Sequence, residues 1–134
     1  MISEKFSNIV QVSQKRAVEH PDRECIIFLK DGEIPAVVNG HSGSINYQQN
    51  DHAARQVAGA LQKRDIIKGD RVLVILPNSL EFVNIFYGCL YAGILAVPLS
   101  EPAGPQNMDT YLEMFLPTLK VSKPELLIAT TSIV

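Results

Sequence analysis

The stretch that decides the fold is residues 69–99, which read GDRVLVILPNSLEFVNIFYGCLYAGILAVPL. After a Gly-Asp turn, residues 71–76 are largely apolar and rich in β-branched side chains, a composition typical of a strand. Residues 94–99 have the same character. Short apolar strands on either side of a helix are usually buried in a parallel sheet and joined by a right-handed crossover. The stretch therefore predicts a βαβ unit.

A mostly apolar helix is predicted between these two strands. Asn78, followed by Glu81 three residues later, has the spacing of a capping box at the start of the helix. The helix runs to about Ala92, and Gly93 ends it. Because the helix is apolar nearly all round, we expect it to lie between layers of the fold rather than on the surface.

The pattern continues downstream as a second αβ unit. Residues 101–108 contain two prolines and a glycine and predict a loop. Residues 109–121 predict a helix, with a break or a kink at Pro117. Residues 126–129 are apolar and predict a third strand of the sheet. The order of this region is therefore βαβαβ.

The upstream half is predicted to add helices and short strands to the same domain. Residues 6–19 and 48–64 have apolar side chains at helical spacing. Residues 24–29, 36–38 and 44–47 are short runs that predict strands. The predicted fold class is α/β, a partly parallel sheet with packed helices in one domain.

Composition limits the classes of function. The chain has 134 residues, of which 46% are hydrophobic and 19% are charged, which is enough apolar material for one packed core. The formal net charge is −2 and the basic residues are scattered, so we expect no nucleic-acid partner. Cys25 and Cys89 lack the spacing of a metal site or a disulfide framework, and we predict that both are buried free thiols.

One segment has nearly the length of a membrane span. Residues 82–100 carry no charge. Gly93 interrupts this run near its middle, and the residues after it have the pattern of a buried strand. We therefore expect no transmembrane helix. The N-terminus lacks the apolar core of a signal peptide, and the expected location is the cytoplasm.

Two segments have some features of ligand-binding loops. Residues 39–44 are rich in small side chains, as are loops that bind phosphate. They lack the Lys and the following helix of a phosphate cradle, so a surface hairpin loop is predicted. Residues 77–79 follow a strand at the edge that ligands favour in doubly wound sheets. They lack a Gly-rich fingerprint, and we favour a structural cap over an anion site.

No other polar residue is assigned chemistry. Asp70 and Arg71 are interpreted as either a local ion pair or a turn. The isolated histidines are predicted at the surface and the tyrosines of the apolar helix in the core; these are His20, His41 and His52, and Tyr87 and Tyr91.

Residues 69–99 resemble the N-terminal core of the adenylate-forming superfamily. The similarity lies in the apolar strand, the Leu-Pro-Asn-Ser turn, and Leu90-Tyr91-Ala92-Gly93 followed by Val97-Pro98, which match an early core motif. Residues 45–49 resemble the short Thr-Tyr strand that enters a helix in this superfamily. Here Asn46 replaces the usual Thr, and Asn50 stands where an apolar residue is common.

The superfamily includes acyl-CoA synthetases, fatty acyl-AMP ligases and adenylation domains of nonribosomal peptide synthetases. The sequence of residues 88–93, GCLYAG, and the proline-containing loop after Leu99 favour the fatty acyl-AMP ligase branch. The resemblance implies an ATP- and Mg²⁺-dependent ligase that makes an acyl-adenylate. The acyl group then passes to the thiol of a carrier protein or CoA, as in polyketide or nonribosomal peptide synthesis. An acyl-CoA ligase and an amino-acid adenylation domain remain alternatives.

The resemblance also implies that residues 1–134 are a single incomplete domain. The family's Gly/Ser/Thr-rich loop, aromatic-acidic motif, ribose-binding Asp and late Lys belong downstream of Val134. We therefore expect no catalytic, cofactor-binding or metal-binding residue in this chain, and no activity from it alone. Its expected partner is the rest of its own polypeptide, and apolar surface left bare is expected to favour self-association. A non-catalytic binding or scaffolding domain with the same fold is the alternative of a different class.

Overall fold

The computed structural model describes residues 5–29 and 43–130. The predicted strand at 36–38, His41 and most of the 39–44 segment lie outside these residues. The elements in chain order are α1 (Ile9–Glu19), β1 (Glu24–Ile27), β2 (Ser44–Asn46), α2 (Tyr47–Lys63), β3 (Arg71–Ile75), α3 (Leu80–Ala92), β4 (Leu95–Leu99), a 3₁₀ turn (Pro105–Asn107), α4 (Met108–Ser122) and β5 (Leu126–Ala129).

Strand β3 is the centre of a parallel sheet with the order β4-β3-β5. Val72 faces Ala96 on one side and Leu126 on the other. The four residues that follow Arg71 in β3 are at most 1% exposed. The predicted βαβαβ order and the burial of β3 on both faces are confirmed.

Strands β1 and β2 form a separate antiparallel pair. Strand β1 ends at Ile27, two residues earlier than predicted, and β2 ends at Asn46 because Tyr47 already belongs to α2. Asn46 begins α2 with a capping box. Its Oδ1 accepts the backbone N–H of Gln49 at 2.8 Å, and the Gln49 side chain accepts the N–H of Asn46 at 2.9 Å. Asn46 can therefore replace a Thr at this position, because either side chain offers a capping oxygen.

The β3–α3–β4 unit is closed by a turn at each end. Gly93 ends α3 in the left-handed conformation, with φ at 72°, and its carbonyl accepts the N–H of Gly69 at 3.0 Å. The Asp70 carboxylate accepts the N–H of Ile67 at 2.8 Å. Of the two interpretations of Asp70 and Arg71, this contact supports the turn. Arg71 instead reaches the carbonyl of Ser122 at 3.2 Å.

The cap of α3 is Ser79, so the prediction of Asn78 is wrong. Ser79 has the extended backbone that a capping residue needs, with φ at −157° and ψ at 169°. Its hydroxyl accepts the N–H of Phe82 at 3.2 Å and donates to the carbonyl of Pro77 at 3.0 Å. Adjacent Asn and Ser side chains are equally good caps in sequence, and the backbone conformation decides between them.

Helix α4 runs from Met108 to Ser122 without the expected break at Pro117. A proline removes the hydrogen bond to the carbonyl four residues earlier, here that of Glu113. Glu113 and Pro117 are both exposed, so water can bond the freed carbonyl. The helix can therefore continue through Pro117.

Helix α3 packs against α2 on one side and against the sheet on another. The core combines side chains from β3, α3, the end of α2 and the turns that follow; its buried members are Leu61, Ile66, Val72, Val74, Cys89 and Ile94. At the crossing of α2 and α3, Gly88 lies directly against Val57 and the backbone of Ala54. Among the residues that the structure describes, no helix has both the length and the apolar character that crossing a membrane requires.

A methyl group at position 88 would overlap the side chain of Val57, and the Ala54 carbonyl lies only 3.3 Å from the added carbon. We expect Gly88→Ala to lower the free energy of unfolding by about 2 kcal/mol through overpacking. Gly59, in α2, has open space around it. Gly59→Ala is the matched control and should raise stability by about 0.5–1 kcal/mol, because Ala favours a helix. Denaturant titration measures both changes. Equal effects of the two variants would contradict a tight crossing at Gly88.

Asn50 is fully buried in the first turns of α2. Within the described residues, neither Nδ2 nor Oδ1 of its side chain has a hydrogen-bond partner. Unpaired buried amide atoms cost about 1–3 kcal/mol, so Asn50→Leu should raise the free energy of unfolding by about 1 kcal/mol or more. Asn50→Ala controls for loss of volume and should not be stabilising. A loss of stability in Asn50→Leu would show that the amide is bonded in solution.

Candidate functional site at the carboxyl edge of the sheet

A candidate site is a cleft of about 470 Å³ where β3 and β4 end. The carboxyl ends of parallel strands meet at one edge of a sheet, and ligands of doubly wound proteins bind there. The lining residues come from the end of β4, from the segments after the two strands and from the first turn of α3; they are Leu76, Pro77, Asn78, Phe82, Pro98, Leu99, Ser100 and Glu101.

Five of the eight lining residues are apolar, and the polar ones are Asn78, Ser100 and Glu101. Glu101 Oε1 lies 3.4 Å from the hydroxyl of Thr130, the residue after β5. The Tyr111 hydroxyl of α4 donates to the carbonyl of Ser100 at 2.7 Å. Burial, and then the negative charge of Glu101, raise the pKa of Tyr111. These contacts connect the segments that follow β4 and β5, and they hold α4 beside the same edge.

The side chains in the cleft are suited to packing or apolar contact rather than to binding phosphates. Glu101 brings a negative charge, and the described lining includes no Lys or Arg to offset a second anion. No group of three or more His, Cys, Asp or Glu side chains within residues 5–29 and 43–130 is arranged to hold a metal ion. Residues 77–79 were predicted to form a structural cap. Ser79 does cap α3, and Asn78 lines the cleft.

A second polar cluster joins α1, α2 and α3. The Tyr91 hydroxyl lies 2.8 Å from Asp51 Oδ1 and 2.9 Å from the Ser13 hydroxyl. Asp51 also accepts a hydrogen bond from Nε of Arg55 at 2.9 Å, and the Arg55 guanidinium lies 5.9 Å from the centre of the Tyr91 ring. Since a phenol has one proton, Tyr91 donates it to Asp51 and accepts from Ser13.

Tyr91 keeps its proton at neutral pH. Burial, and then the hydrogen bond to the negative Asp51, raise its pKa to about 12. The cluster is therefore a structural connection between three helices and does not supply a general base. We predicted core packing for Tyr91, and no local pattern indicates its polar contacts with Ser13 and Asp51.

His20 and His52 are exposed, as predicted. Cys89 is fully buried, but Cys25 is only half-buried because it lies in the small β1–β2 sheet rather than in the core. The prediction of a buried Cys25 is therefore wrong. Burial raises the pKa of both thiols, which keeps them protonated and poorly nucleophilic at neutral pH.

Tyr91→Phe removes the hydroxyl shared by Ser13 and Asp51, and we expect it to lower the free energy of unfolding by about 2 kcal/mol at pH 7. Tyr87→Phe is the matched control, because within the described residues the Tyr87 hydroxyl makes no hydrogen bond; its effect should be within about 0.5 kcal/mol. The pKa of Tyr91 is raised from 10 to about 12 in the folded chain. The contribution of the Tyr91 hydroxyl to the free energy of unfolding is therefore complete below pH 10 and is lost as the pH rises through about 12. Denaturant titrations across this range should show a larger loss in the wild type and in Tyr87→Phe than in Tyr91→Phe, which keeps only the loss from other groups whose pKa is raised, such as Tyr111.

Comparison with known proteins agrees with the geometry. The chain is 35% identical over 102 residues to the medium-chain-fatty-acid–[acyl-carrier-protein] ligase JamA of Moorena producens, a match that covers 76% of this chain and 16% of JamA. It is 33% identical over 127 residues to the long-chain-fatty-acid–AMP ligase FadD26 of Mycobacterium tuberculosis, covering 95% of this chain and 20% of FadD26. The chain thus spans about a fifth of the length of these relatives.

A solved structure shows the same fold. The fatty acyl-adenylate ligase from L. pneumophila, in complex with acyl adenylate and pyrophosphate, superposes with a TM-score of 0.79 at 28% identity. The match covers 96% of this chain and 20% of that structure. This confirms the predicted fold class, the α/β architecture of the N-terminal domain of adenylate-forming enzymes.

The family assignment rests on most of the chain. The family described as AMP-binding enzyme matches residues 13–130, which include every helix and strand from α2 to β5. The predicted resemblance to adenylate-forming enzymes is confirmed, and the chain belongs to the AMP-binding enzyme family, with fatty acyl-AMP ligases among its relatives.

Proposed function

We propose that this chain is the N-terminal part of an ATP-dependent ligase that activates a fatty acid as its acyl-adenylate. The observation that carries the proposal is the match of 76% and 95% of this chain to less than or about a fifth of two ligases for fatty acids. The carboxylate of the acid would attack the α-phosphorus of ATP and release pyrophosphate. A thiol would then attack the acyl carbon and release AMP.

In this proposal residues 1–134 support the site and do not supply its reactive groups. The carboxyl-edge cleft has an apolar lining and one carboxylate, Glu101, so it can shape one wall of a larger site. The donors that offset phosphate charge, and the ligands of Mg²⁺, are assigned to polypeptide beyond Val134. Mg²⁺ supplies charge neutralisation on the phosphates when it is bound. The described residues form no set of ligands for it.

The acceptor thiol in the proposal is that of an acyl-carrier protein, with CoA as the alternative acceptor. The relative JamA is named as an acyl-carrier-protein ligase, and FadD26 is named as a fatty-acid–AMP ligase. These names favour fatty acyl-AMP ligation over amino-acid adenylation. We place the protein in the cytoplasm, where its free thiols Cys25 and Cys89 would stay reduced.

ATP–pyrophosphate exchange tests the first half-reaction. The complete product of the gene should exchange label in the presence of medium- or long-chain fatty acids, and far less with amino acids. The chain of residues 1–134 alone should show no exchange, because the groups that act on ATP are expected outside it. Exchange by residues 1–134 alone would overturn this placement of the active site.

The second half-reaction separates the alternatives. Mass spectrometry should detect the acyl group on the phosphopantetheine arm of a carrier protein, with much less acyl-CoA when both acceptors are offered. Preferred formation of acyl-CoA would support the acyl-CoA ligase alternative. A complete gene product that binds no ATP and exchanges no label with any acid would support the non-catalytic scaffolding domain.

A further inference from the structure

The basic residues of the chain are not spread evenly over its length. Half of its 12 Lys and Arg residues lie in two short segments, residues 63–71 and 120–125; they are Lys63, Arg64, Lys68, Arg71, Lys120 and Lys123. The two segments also hold three acidic residues, Asp65, Asp70 and Glu125, so their formal charge is +3 in a chain whose net charge is −2. Residues 72–119, between the segments, contain four acidic residues and no Lys or Arg.

The fold brings the two basic segments together at the amino edge of the parallel sheet. The first runs from the end of α2 into β3, and the second runs from the last turn of α4 to the residue before β5. The Arg71 side chain donates to the carbonyl of Ser122 at 3.2 Å, and the N–H of Glu125 donates to the carbonyl of Arg71 at 2.8 Å. We refer to the two segments as the basic edge. Its six basic side chains are exposed, and within the described residues none of them forms an ion pair.

Apolar side chains protrude beside these charges. Ile67, in the turn before β3, is 66% exposed, and Val121, in the last turn of α4, is 80% exposed. The turn at Ile67 is fixed by the Asp70 carboxylate, which accepts the N–H of Ile67 at 2.8 Å. A single exposed aliphatic side chain is ordinary in a soluble protein. Two of them among six cations give the basic edge both apolar and positive character.

The acidic residues of the same unit lie toward the opposite edge of the sheet. Glu101 lines the carboxyl-edge cleft, Glu81 is in the first turn of α3, and Asp109 is in the first turn of α4. Acidic residues at helix N-termini, and Lys120 at a helix C-terminus, complement the helix dipoles. The dipoles do not account for Lys68, which lies in a turn. The unit is therefore polarised along its strands, and a negative surface would attract the basic edge and repel the edge that holds the cleft.

The composition of the basic edge favours a lipid surface over a protein or a nucleic acid. Protein interfaces are enriched in aromatic residues and Arg and are depleted in Lys. Four of these six cations are Lys, and neither segment contains an aromatic residue. The phosphate backbone of a nucleic acid would offer the two aliphatic side chains no apolar contact. A bilayer surface offers both anionic headgroups and, just below them, acyl chains.

We propose that the basic edge binds the surface of an anionic lipid bilayer, with Ile67 and Val121 entering the headgroup region. The contact is peripheral, and it goes beyond the proposed function without depending on it. Each Lys or Arg near such a surface contributes about fivefold in affinity, so a formal charge of +3 contributes about 100-fold. In this orientation the carboxyl-edge cleft faces away from the bilayer, so it stays open to a water-soluble acceptor.

Co-sedimentation of the complete gene product with lipid vesicles tests the proposal. Two kinds of vesicle are compared: phosphatidylcholine alone, and phosphatidylcholine in which about a third of the lipid is phosphatidylserine. The wild type should bind the anionic vesicles about 100-fold more tightly than the neutral ones at low salt. The difference should shrink to a few-fold in roughly 1 M salt, where charges are screened.

Two variants separate the electrostatic and apolar contributions to vesicle binding. Lys120→Gln combined with Lys123→Gln removes two charges and should weaken binding to anionic vesicles about 25-fold, without changing binding to neutral ones. Ile67→Ser combined with Val121→Ser removes apolar contact and should weaken binding about tenfold at low and at high salt.

A matched control tests whether the position of the charges matters. Lys5→Gln combined with Arg23→Gln removes the same charge from two exposed side chains outside the basic edge. Because distant charges are screened, this variant should lose less than about threefold in affinity for anionic vesicles.

Each outcome decides the proposal. Preference for anionic vesicles that the paired Lys variant weakens and the control retains supports it. Equal binding to both kinds of vesicle overturns it, and so does an equal loss in the control, which would show an effect of net charge alone. Absence of vesicle binding also overturns it. Retention of the wild type on polyglutamate, but not of the paired Lys variant, would then assign the basic edge to an acidic segment of a partner protein.

ATP–pyrophosphate exchange in the absence of vesicles separates this proposal from the proposed function. The paired Lys variant should exchange label at the wild-type rate, because the basic edge and the cleft lie at opposite ends of the strands. An active enzyme that does not bind vesicles overturns only the lipid contact. A protein that binds anionic vesicles but exchanges no label leaves the contact in place and counts against the ligase.

Discussion

The parallel pairing of β3 on both sides is the constraint on which the rest of the structure depends. Residues Val72 to Ile75 are sealed from water on both faces, so their backbone groups must be bonded within the protein. Two neighbouring strands supply those bonds, and parallel strands require long crossovers. Helices α3 and α4 are those crossovers. The order of elements from β3 to β5 therefore follows from the burial of one short strand.

The candidate site is a consequence of the same arrangement. Because all three strands run in one direction, their carboxyl ends deliver Asn78, Glu101 and Thr130 to one edge. These residues are far apart in the sequence. Glu101 and Thr130 belong to no recognisable motif, and Asn78 lies in a turn that we interpreted as a structural cap. The cleft thus arises from the direction of the strands rather than from any local sequence, and this is why it was not assigned as a site in advance.

Periodicity and composition predicted the elements from α2 to β5 to within one or two residues, because buried strands and amphipathic helices leave strong local patterns. Contacts that depend on tertiary placement were not predictable. The Tyr91 hydroxyl meets Ser13 and Asp51, 78 and 40 residues away, and no local pattern encodes such a meeting. Two predictions were wrong for a related reason: that Asn78 rather than Ser79 caps α3, and that α4 breaks at Pro117. Local rules offered two outcomes in each case, and backbone conformation and solvent exposure selected between them.

The hydrogen bond between the N–H of Gly69 and the carbonyl of Gly93 joins the entrance of β3 to the exit of α3. It closes the β3–α3–β4 unit through a backbone bond, in addition to the buried side chains that Val72, Cys89 and Ile94 contribute to the core. It joins residues 24 apart, whereas β3 pairs with β5 across 54 residues, and closing the shorter loop costs less conformational entropy. The unit is therefore the part of the sheet that closes over the shorter stretch of chain, and it can serve as the surface on which β5 is ordered.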